Sequence, residues 1–266
     1  MQLLTFNLNN PSRERAERQL SWLASRPEDV LVLTETAPSE GCEFLASRFE
    51  TAGYRVVFPR PERGERGVMI VSRLPVDGPV VRLPYLPHRG VSVNVMTTTG
   101  PFDIIGLYVP SRDATEAKVE RKRRFLEEAA RLMPSGVTGA RLVIGDFNIL
   151  EPEHEPRYPF FKPFEYAFYE SLMSAGYLDA FRHLAPTAAE YSWVGRTGDG
   201  YRYDHAHVSA ALADRVQECL YLHEPRTQSD RLTDHSALAV RLDLTPAERL
   251  QVSDPTTEAV LSESLF

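Results

Sequence analysis

The sequence lacks the features that mark several classes of protein. It has only two cysteines, Cys42 and Cys219, which lie far apart and have no C-x-x-C spacing. This argues against a disulfide framework or a cysteine–zinc site and predicts two reduced, buried thiols. The longest apolar runs, such as residues 30–33 and 142–144, are too short to cross a membrane. The N-terminus has neither the basic nor the apolar segment of a secretory signal, so we expect a cytoplasmic protein.

A surplus of positive charge is also absent, because 30 Lys and Arg residues stand against 37 Asp and Glu residues, a formal net charge of −7. This balance argues against a uniformly basic protein that binds nucleic acid without regard to sequence, but it allows a local basic face. The 266 residues are 42% hydrophobic and 25% charged, as in ordinary soluble domains. We expect a monomer with one domain over residues 1–245 and an acidic tail over residues 246–266.

Short runs rich in Val, Ile, Tyr and Thr, separated by Pro and Gly, predict a series of β-strands. They cover residues 3–8, 30–34, 54–58, 68–72, 80–83, 91–97, 102–109, 141–145, 201–209, 216–222 and 237–242. Helices are predicted from Ser12 to residue 25, from Thr115 to Met133 and from Pro163 to Gly176. This mixed order predicts an α/β (α+β) fold, a four-layer sandwich of two packed mixed β-sheets flanked by helices.

Polar side chains occur where several of these strands begin or end. They are Asn7, Glu35, Asp146, Asn148, Asp234 and His235. A carboxylate near buried apolar strands is costly unless a cation or a proton neutralises it, so these acids indicate a metal site. A set of oxygen donors without cysteine suits a hard ion such as Mg²⁺ or Mn²⁺ better than zinc.

Short segments that contain these residues occur in the order typical of a known family. They are TFNLN at residues 5–9, LTET at 33–36, GLYVPS at 106–111, GDFN at 145–148, RYDH at 202–205 and TDHS at 233–236. The series resembles the endonuclease/exonuclease/phosphatase superfamily and spans nearly all of the chain before the tail. Within it, GYLDAFR at 176–182, YSW at 191–193 and RYDHAHVS at 202–209 are most similar to the exonuclease III and apurinic endonuclease branch.

The resemblance implies a Mg²⁺ ion, which Mn²⁺ could replace, with Glu35 as its principal ligand. Asn7 would lie at the metal and hold the side chain of Asp146, and Asp234 would lie near the ion, directly or through water. The alternative for Glu35 and Asn7 is an acid and an amide that only end their strands.

The resemblance also implies catalytic roles. Asp146 would orient and deprotonate the attacking water, and Asn148 would position the water or the phosphate, although the identity of the general base stays open. An isolated D-x-N pair can also be a simple turn. His235 would contact the scissile phosphate, and Asp204 would bond to the other nitrogen of its ring.

Four further residues are candidates for contacts with the substrate. Tyr108 would donate to the phosphate and Arg112 would clamp it. Tyrosine is common in strands, however, and Arg112 begins a cationic stretch that we expect to lie mostly on the solvated face of the long helix. Ser111 stands where members that act on DNA often have Asn, so one phosphate contact is in question. Trp193 resembles an aromatic residue that packs against an abasic sugar in DNA-repair relatives, or it is a core tryptophan.

These observations support three hypotheses about function. The first is a Mg²⁺-dependent phosphodiesterase, a nuclease that acts on DNA in repair, with its endonucleolytic or exonucleolytic preference open. The second is the same chemistry on a phospholipid, a phosphoinositide or a small phosphodiester. The third is a non-catalytic protein that binds a phosphate ligand. The H-x-H spacing of His205 and His207 leaves a zinc site as a separate alternative, although it has no obvious partner ligands.

Overall fold

Two β-sheets form the centre of the molecule in the computed structural model, which describes residues 1–257. The strands are β1 Gln2–Asn7, β2 Val30–Thr36, β3 Arg55–Val57, β4 Gly67–Ser72, β5 Gly90–Thr97, β6 Gly100–Tyr108, β7 Ala140–Asp146, β8 Tyr177–Asp179, β9 Trp193–Val194, β10 Gly200–Tyr201, β11 Asp204–Ser209, β12 Val216–Leu222 and β13 Ala237–Leu242. The helices are α1 Arg13–Ala24, α2 Glu40–Thr51, α3 Glu116–Leu132, α4 Pro163–Ser174, α5 Ala180–Leu184 and α6 Glu224–Thr227.

Both sheets are mixed. The first has six strands in the order β12-β13-β1-β2-β4-β3, and the second has five in the order β5-β6-β7-β11-β8. Strands β1 and β2 are parallel in the first sheet, and β6 and β7 are parallel in the second. The remaining pairs in these two sheets are antiparallel. The hairpin of β9 and β10 forms a small separate sheet.

Side chains that alternate along the central strands fill two different apolar layers. In β2, Val30 and Val32 face the second sheet, while Leu31 and Leu33 face α1 and α2. In β7, Leu142 and Ile144 face the first sheet, and Val143 packs with residues of α3 and α4. Period-two alternation with both faces buried is what a sheet between two layers requires. The predicted four-layer sandwich is therefore confirmed.

The three predicted helices are present, and a fourth long helix was not anticipated. Ser12 precedes α1, and its hydroxyl accepts a hydrogen bond from the backbone N–H of Arg15. The unanticipated helix, α2, follows Ser39, which caps it in the same way, and it buries Leu45 and Phe49 against the first sheet. No helix within residues 1–257 is long and apolar enough to cross a membrane. Both cysteines are buried and unpaired with each other.

The strand prediction for residues 80–83 is wrong. This segment lies beside β5 without a backbone ladder, because Pro79 and Pro84 interrupt the run of N–H donors around it. Its attachment is through one side chain instead. The hydroxyl of Ser92 accepts from the backbone N–H of Val81 at 2.7 Å and donates to the carbonyl of the same residue at 3.0 Å.

The start of the predicted tail packs on the domain. Pro246 pairs with Thr97, the last residue of β5. The backbone N–H of Leu250 donates to Arg73, and that of Ser253 donates to Ala52. Residues 246–257 therefore lie against the domain, and residues 258–266 are outside the described part of the chain.

A buried ionic cluster joins the loop after β7 to the second sheet. Arg202 is fully buried and donates to the carboxylates of Glu151, at 2.5 and 3.1 Å, and Asp179, at 2.6 Å. Arg182 donates to both oxygens of Glu151 at 2.6 Å. Burial alone would raise the pKa of Glu151, but its bonds to the two arginines outweigh burial and lower that pKa to about 2 from its usual 4.5.

We expect this cluster to make the fold sensitive to acid. A carboxyl whose pKa is lower in the folded state stabilises the fold fully above pH 4.5, and its contribution is lost as the pH falls towards 2. Glu151→Gln should lower the free energy of unfolding at pH 7 by about 3 kcal/mol, since it removes one of the two carboxylates that balance the buried charge of Arg202. Urea unfolding of wild type and variant at pH 7 and pH 4 measures both effects. A variant that loses as much stability between these pH values as the wild type would contradict the assignment.

Candidate active site

The ends of the central strands bring the predicted polar residues to one edge of the sandwich. In the first sheet β1 and β2 end side by side, with Asn7 opposite Thr34, and β13 begins there because it runs antiparallel to β1. In the second sheet Tyr108, Asp146 and Asp204 are aligned across β6, β7 and β11. The two sheets are packed face to face, so both sets of strand ends open on the same cavity.

This cavity has a volume of about 260 Å³. It is lined by Asn7, Glu35, Tyr108, Ser111, Arg112, Lys122, Asp146, Asn148, Phe160, Phe161, Trp193, Tyr203, Asp234 and His235. Asp204, the one candidate residue outside this lining, lies directly behind His235. The structure thus brings together every residue that the resemblance assigns to the metal, the reaction or the substrate.

The GDFN turn has a backbone that few other sequences could adopt. Gly145 has a φ of 149°, and a Cβ atom there would lie 2.0 Å from the carbonyl oxygen of Leu107. Asn148 has a φ of 49°, a left-handed conformation that asparagine tolerates better than most residues. The turn folds back so that the backbone N–H of Asn148 donates to Asp146 Oδ1 at 2.9 Å.

The carboxylate of Asp146 is held by amides from both sheets. Its Oδ2 atom accepts from Asn7 Nδ2 at 2.9 Å and from Asn148 Nδ2 at 3.1 Å. Burial raises the pKa of Asp146 to about 8; the charge of His235 opposes this shift, and the carboxylates of Asp204 and Glu35 add to it. The side chain of Asp146 is therefore fixed in orientation and has a strong affinity for a proton or a cation.

Glu35 reaches the cavity from a distortion in β2. The pairing of β2 with β4 shifts between Thr34 and Thr36, and Glu35 between them has a left-handed φ of 56°. Its carbonyl accepts from the backbone N–H of Asn10 at 3.1 Å, which fixes the neighbouring turn. Burial raises the pKa of Glu35, and the charge of His235 opposes that shift.

His235, just before β13, and Asp204, at the start of β11, form a buried pair. His235 Nδ1 lies 2.7 Å from Asp204 Oδ2, and ligand atoms of Asp146, Asp204 and His235 all lie within 4.8 Å of one another. Burial opposes the charge on His235, but the carboxylates of Asp204, Asp146 and Asp234 outweigh burial and raise its pKa to about 10. The pair therefore presents a cationic ring to the cavity.

Asp234 is fixed by two donors. Its Oδ1 atom accepts from Asn9 Nδ2 at 2.8 Å, and its Oδ2 atom accepts from Trp193 Nε1 at 3.0 Å. Tyr108 is buried next to these acids, with the guanidinium of Arg89 4.7 Å from the centre of its ring. Burial raises the pKa of Tyr108 well above its usual value, so its phenol is a hydrogen-bond donor at neutral pH.

The two candidates on the loop after β6 differ in exposure. Ser111 is exposed at the mouth of the cavity. Arg112 has a side chain only 1% exposed, and its guanidinium donates to Glu165 at 2.5 Å and to the carbonyl of Phe160 at 2.7 Å. Its charge is therefore already paired, which weakens the predicted clamp on a phosphate.

Lys122 is a site residue that the sequence analysis missed. We expected its cationic stretch to lie mostly on a solvated helix face, but Lys122 is buried and its Nζ lies 2.7 Å from Glu165 and 2.5 Å from the carbonyl of Asn148. Burial lowers its pKa to about 8, and Glu165 opposes the shift. The spacing from Val119 to Lys122 and on to Leu126 and Ala129 places it on the buried stripe of α3, so helix periodicity could have found it.

The H-x-H pair lies on the other face of β11. His205 Nε2 is 3.2 Å from the carbonyl of Ile149, and the rings of His205 and His207 pack against Phe147 and Tyr169. The one cluster of possible metal-ligating acids and histidines within residues 1–257 does not include either residue. The zinc alternative therefore has no support in this part of the chain.

Comparison with known proteins identifies the family of the chain. Residues 4–235 match the endonuclease/exonuclease/phosphatase family. The chain belongs to this family. Its sequence is 26% identical over 245 residues to exodeoxyribonuclease III of Haemophilus influenzae, covering 81% of this chain and 90% of that protein.

Solved structures with the same fold include a 3′ phosphatase and an AP endonuclease. A 3′ phosphatase, NExo, from Neisseria bound to a product DNA hairpin has a TM-score of 0.77 and 24% identity, over 91% of this chain and 99% of its own. An AP endonuclease from Archaeoglobus fulgidus has a TM-score of 0.75 and 24% identity, over the same shares of the two chains. The predicted family is confirmed, and these similarities support a hydrolytic nuclease or phosphodiesterase of the exonuclease III and AP endonuclease type.

We expect Lys122 to be a structural as well as a site residue. Lys122→Met leaves the buried carboxylate of Glu165 with Arg112 as its only cationic partner, so the free energy of unfolding in urea should fall by about 3 kcal/mol. Lys118→Met is the matched control, because Lys118 is 58% exposed and pairs with the exposed Asp113. It should change stability by less than about 0.5 kcal/mol. Equal losses in the two variants would contradict the buried pairing.

Proposed function

We propose that the protein is a Mg²⁺-dependent phosphodiesterase, a DNA nuclease of the exonuclease III and AP endonuclease type that works as a cytoplasmic monomer in repair. The convergence of polar groups from both sheets on one cavity carries this proposal. Family membership supports hydrolysis of phosphoric esters, and the relatives support DNA as the substrate.

The donor set of the cavity suits a hard cation. Glu35, Asp234 and the amide oxygen of Asn7 are oxygen donors, and a set without sulfur fits Mg²⁺ or Mn²⁺. The buried Oδ1 atom of Asp204 has no hydrogen-bond partner within residues 1–257, so the site holds a carboxylate oxygen that this part of the chain does not satisfy. Asp204 is already engaged by Nδ1 of His235. We therefore expect the ion on the opposite, Glu35 side of the cavity.

Once bound, Mg²⁺ would neutralise charge on the phosphate oxygens and assist the departure of the leaving oxygen. The side chains supply the remaining steps. Asn7 and Asn148 fix the side chain of Asp146, which then orients a water molecule. Asp146 accepts the proton of that water as the water attacks phosphorus in line with the leaving group.

His235 and Tyr108 act on the phosphate itself. Nδ1 of His235 bonds to Asp204, so Nε2 is free to donate to a phosphate oxygen as negative charge develops there. The buried phenol of Tyr108 is a second donor, and the fixed positions of both groups avoid reorganisation during the reaction.

A phospholipid, a phosphoinositide or a small phosphodiester is the alternative substrate for the same site. The net charge of −7 is compatible with such a substrate. Faster hydrolysis of these compounds than of DNA oligomers at equal concentration would favour the alternative. Tight binding of a phosphate ligand without any metal-dependent turnover would favour the non-catalytic hypothesis.

We expect Asp146→Asn and His235→Ala to lower kcat for hydrolysis of a DNA oligomer by roughly a hundredfold or more. The first change removes the proton acceptor, and the second removes a donor to the phosphate. Asp214→Asn and His183→Ala are matched controls at exposed positions and should keep wild-type turnover. Thermal unfolding and circular dichroism check folding. Near-normal kcat in either site variant would show that its role is assigned wrongly.

Metal binding can be measured without turnover. Trp193 donates to Asp234, so Mn²⁺ bound at the site should quench its fluorescence, and Trp22→Phe leaves Trp193 as the only tryptophan. Glu35→Gln in that background should weaken Mn²⁺ binding by roughly tenfold or more, because a carboxylate ligand becomes a neutral amide. Glu14→Gln, at an exposed position on α1, should have no effect.

The same metal requirement should appear in turnover. EDTA should abolish hydrolysis, and added Mg²⁺ or Mn²⁺ should restore it. Rescue by zinc alone would contradict a hard-cation site.

A further inference from the structure

The side chain of Arg89 lies behind one wall of the cavity. Arg89 immediately precedes β5, and Gly90 pairs with Leu107 across β5 and β6, so Arg89 lies beside Tyr108 where β6 ends. The two residues are 6% and 4% exposed, and the guanidinium carbon of Arg89 is 4.7 Å from the centre of the Tyr108 ring. Tyr108 lines the cavity, and Arg89 does not. A phosphate in the cavity therefore meets the phenol but not the guanidinium.

The charge of Arg89 is only partly balanced by its neighbours. Its Nη2 atom donates to Glu65 at 3.3 Å, and the same carboxylate accepts from Arg121. Burial alone would raise the pKa of Glu65, but Arg121 and Arg89 outweigh burial and lower that pKa to about 2. His88 lies 3.5 Å from Glu65, and burial lowers its pKa, so its ring is neutral at pH 7. Two guanidinium charges thus share one carboxylate.

Two nitrogen atoms of Arg89 have no hydrogen-bond partner within residues 1–257. They are Nε and Nη1, and both are buried. Burial lowers the pKa of Arg89, yet a guanidinium stays protonated in proteins, so the fold carries a costly buried cation. Arg89 has one long bond to a carboxylate, and its other close contact is the ring of Tyr108. A charge acts strongly on a neighbouring ring where water is excluded.

A cation beside a phenol ring makes the hydroxyl a better hydrogen-bond donor. Burial raises the pKa of Tyr108, the carboxylates of Glu35 and Asp146 add to the shift, and the charge of Arg89 opposes it. When a phenol donates to a phosphate oxygen, negative charge builds up on the phenol oxygen as well. A fixed cation over the ring stabilises this charge most in the transition state, where the phosphate oxygens are most negative.

Two other roles for Arg89 make different predictions. In a purely structural role it links the turn before β5 to α3, because Glu65 also binds Arg121. Losing that link would lower stability and would affect turnover whether or not position 108 carries a hydroxyl. A residue that binds a DNA phosphate directly would instead act on KM.

We propose that Arg89 is a positioning residue that acts through Tyr108: its cation lies over the phenol ring and strengthens the hydrogen bond from the hydroxyl to the reacting phosphate. The proposal rests on the proposed function, in which Tyr108 donates to that phosphate. It assigns a role in the reaction to a charge that does not reach the substrate.

The test is a double-mutant cycle between the charge at position 89 and the hydroxyl at position 108. Arg89→Gln removes the charge and keeps a donor for Glu65, and Arg89→Met is a second neutral variant, so the test does not depend on one variant folding. Tyr108→Phe removes the hydroxyl and keeps the ring. The assay measures kcat and KM for Mg²⁺-dependent hydrolysis of a DNA oligomer, and circular dichroism and thermal unfolding confirm folding at the assay temperature.

With Tyr108 present, each neutral variant should lower kcat by roughly tenfold and change KM by less than about twofold, as expected for loss of one cation–ring interaction in the transition state. In the Tyr108→Phe background the same changes should lower kcat by less than about twofold, because the group through which Arg89 acts is gone. Arg89→Lys keeps a cation and should stay within about threefold of wild type.

Arg124→Met is the matched control. The guanidinium of Arg124 lies 4.0 Å from the centre of the Tyr85 ring, and neither residue lines the cavity. This variant loses the same kind of cation–ring contact and should keep wild-type kcat in both backgrounds.

Three results would overturn the proposal. The first is an equal loss of kcat in the two backgrounds, as a structural role predicts. The second is a change in KM with kcat unaltered, as direct binding of DNA predicts. The third is an Arg89→Lys variant as slow as Arg89→Gln, which would show that the charge is not the property that matters.

Failure of the proposed function is a separate outcome, seen as no hydrolysis of any phosphodiester by the wild type with Mg²⁺. The coupling is then measured without turnover, as the same cycle in Kd for inorganic phosphate by titration calorimetry. Arg89→Gln should weaken phosphate binding by roughly threefold with Tyr108 present and leave it unchanged in the Tyr108→Phe background. Equal weakening in both backgrounds would again contradict action through the hydroxyl.

Discussion

The hydrogen bond from Asn7 to Asp146 is the contact on which the site depends. It joins the end of β1 in one sheet to the end of β7 in the other at 2.9 Å, and both residues are buried. Burial raises the pKa of Asp146 to about 8, so the surroundings of this acid give it a strong affinity for a proton. A small slip between the sheets would separate the amide from the acid and leave the buried Nδ2 group of Asn7 without its partner.

The local backbone around Asp146 follows from that constraint. Gly145 allows close approach to Leu107, the left-handed Asn148 folds its amide back onto Asp146, and Lys122 binds the carbonyl of Asn148. Glu165 in turn holds Lys122 and Arg112. Charges of opposite sign thus succeed one another outward from the carboxylate. Such a network is stabilising only while each member has its partner, which is why single changes in it are expected to be costly.

Sequence patterns predicted the layers better than the details between them. Short apolar runs and their mixed order with the helices predicted two packed sheets, and the order of the motifs identified residues that share one cavity. Lys122 was missed because its many cationic neighbours suggested a solvated face, although its helical spacing from Val119 indicated burial. Phe160, Phe161 and Tyr203 carried no such signal: loops and short hairpins have no periodicity, and their contacts depend on tertiary packing. The pairing of Arg112 with Glu165 joins residues 53 positions apart, so no local pattern could indicate it.

An acidic protein that acts on a polyanion must obtain affinity from something other than long-range attraction. Here the nearest cations are already committed, Arg112 and Lys122 to Glu165 and His235 to Asp204. A phosphate entering the cavity would therefore depend on a bound cation and on fixed donors, which act only at contact distance. The aromatic side chains that line the cavity offer apolar surface for short-range contacts that salt does not screen. The internal pairing of these basic residues thus limits the attraction of a phosphate to contacts made inside the cavity.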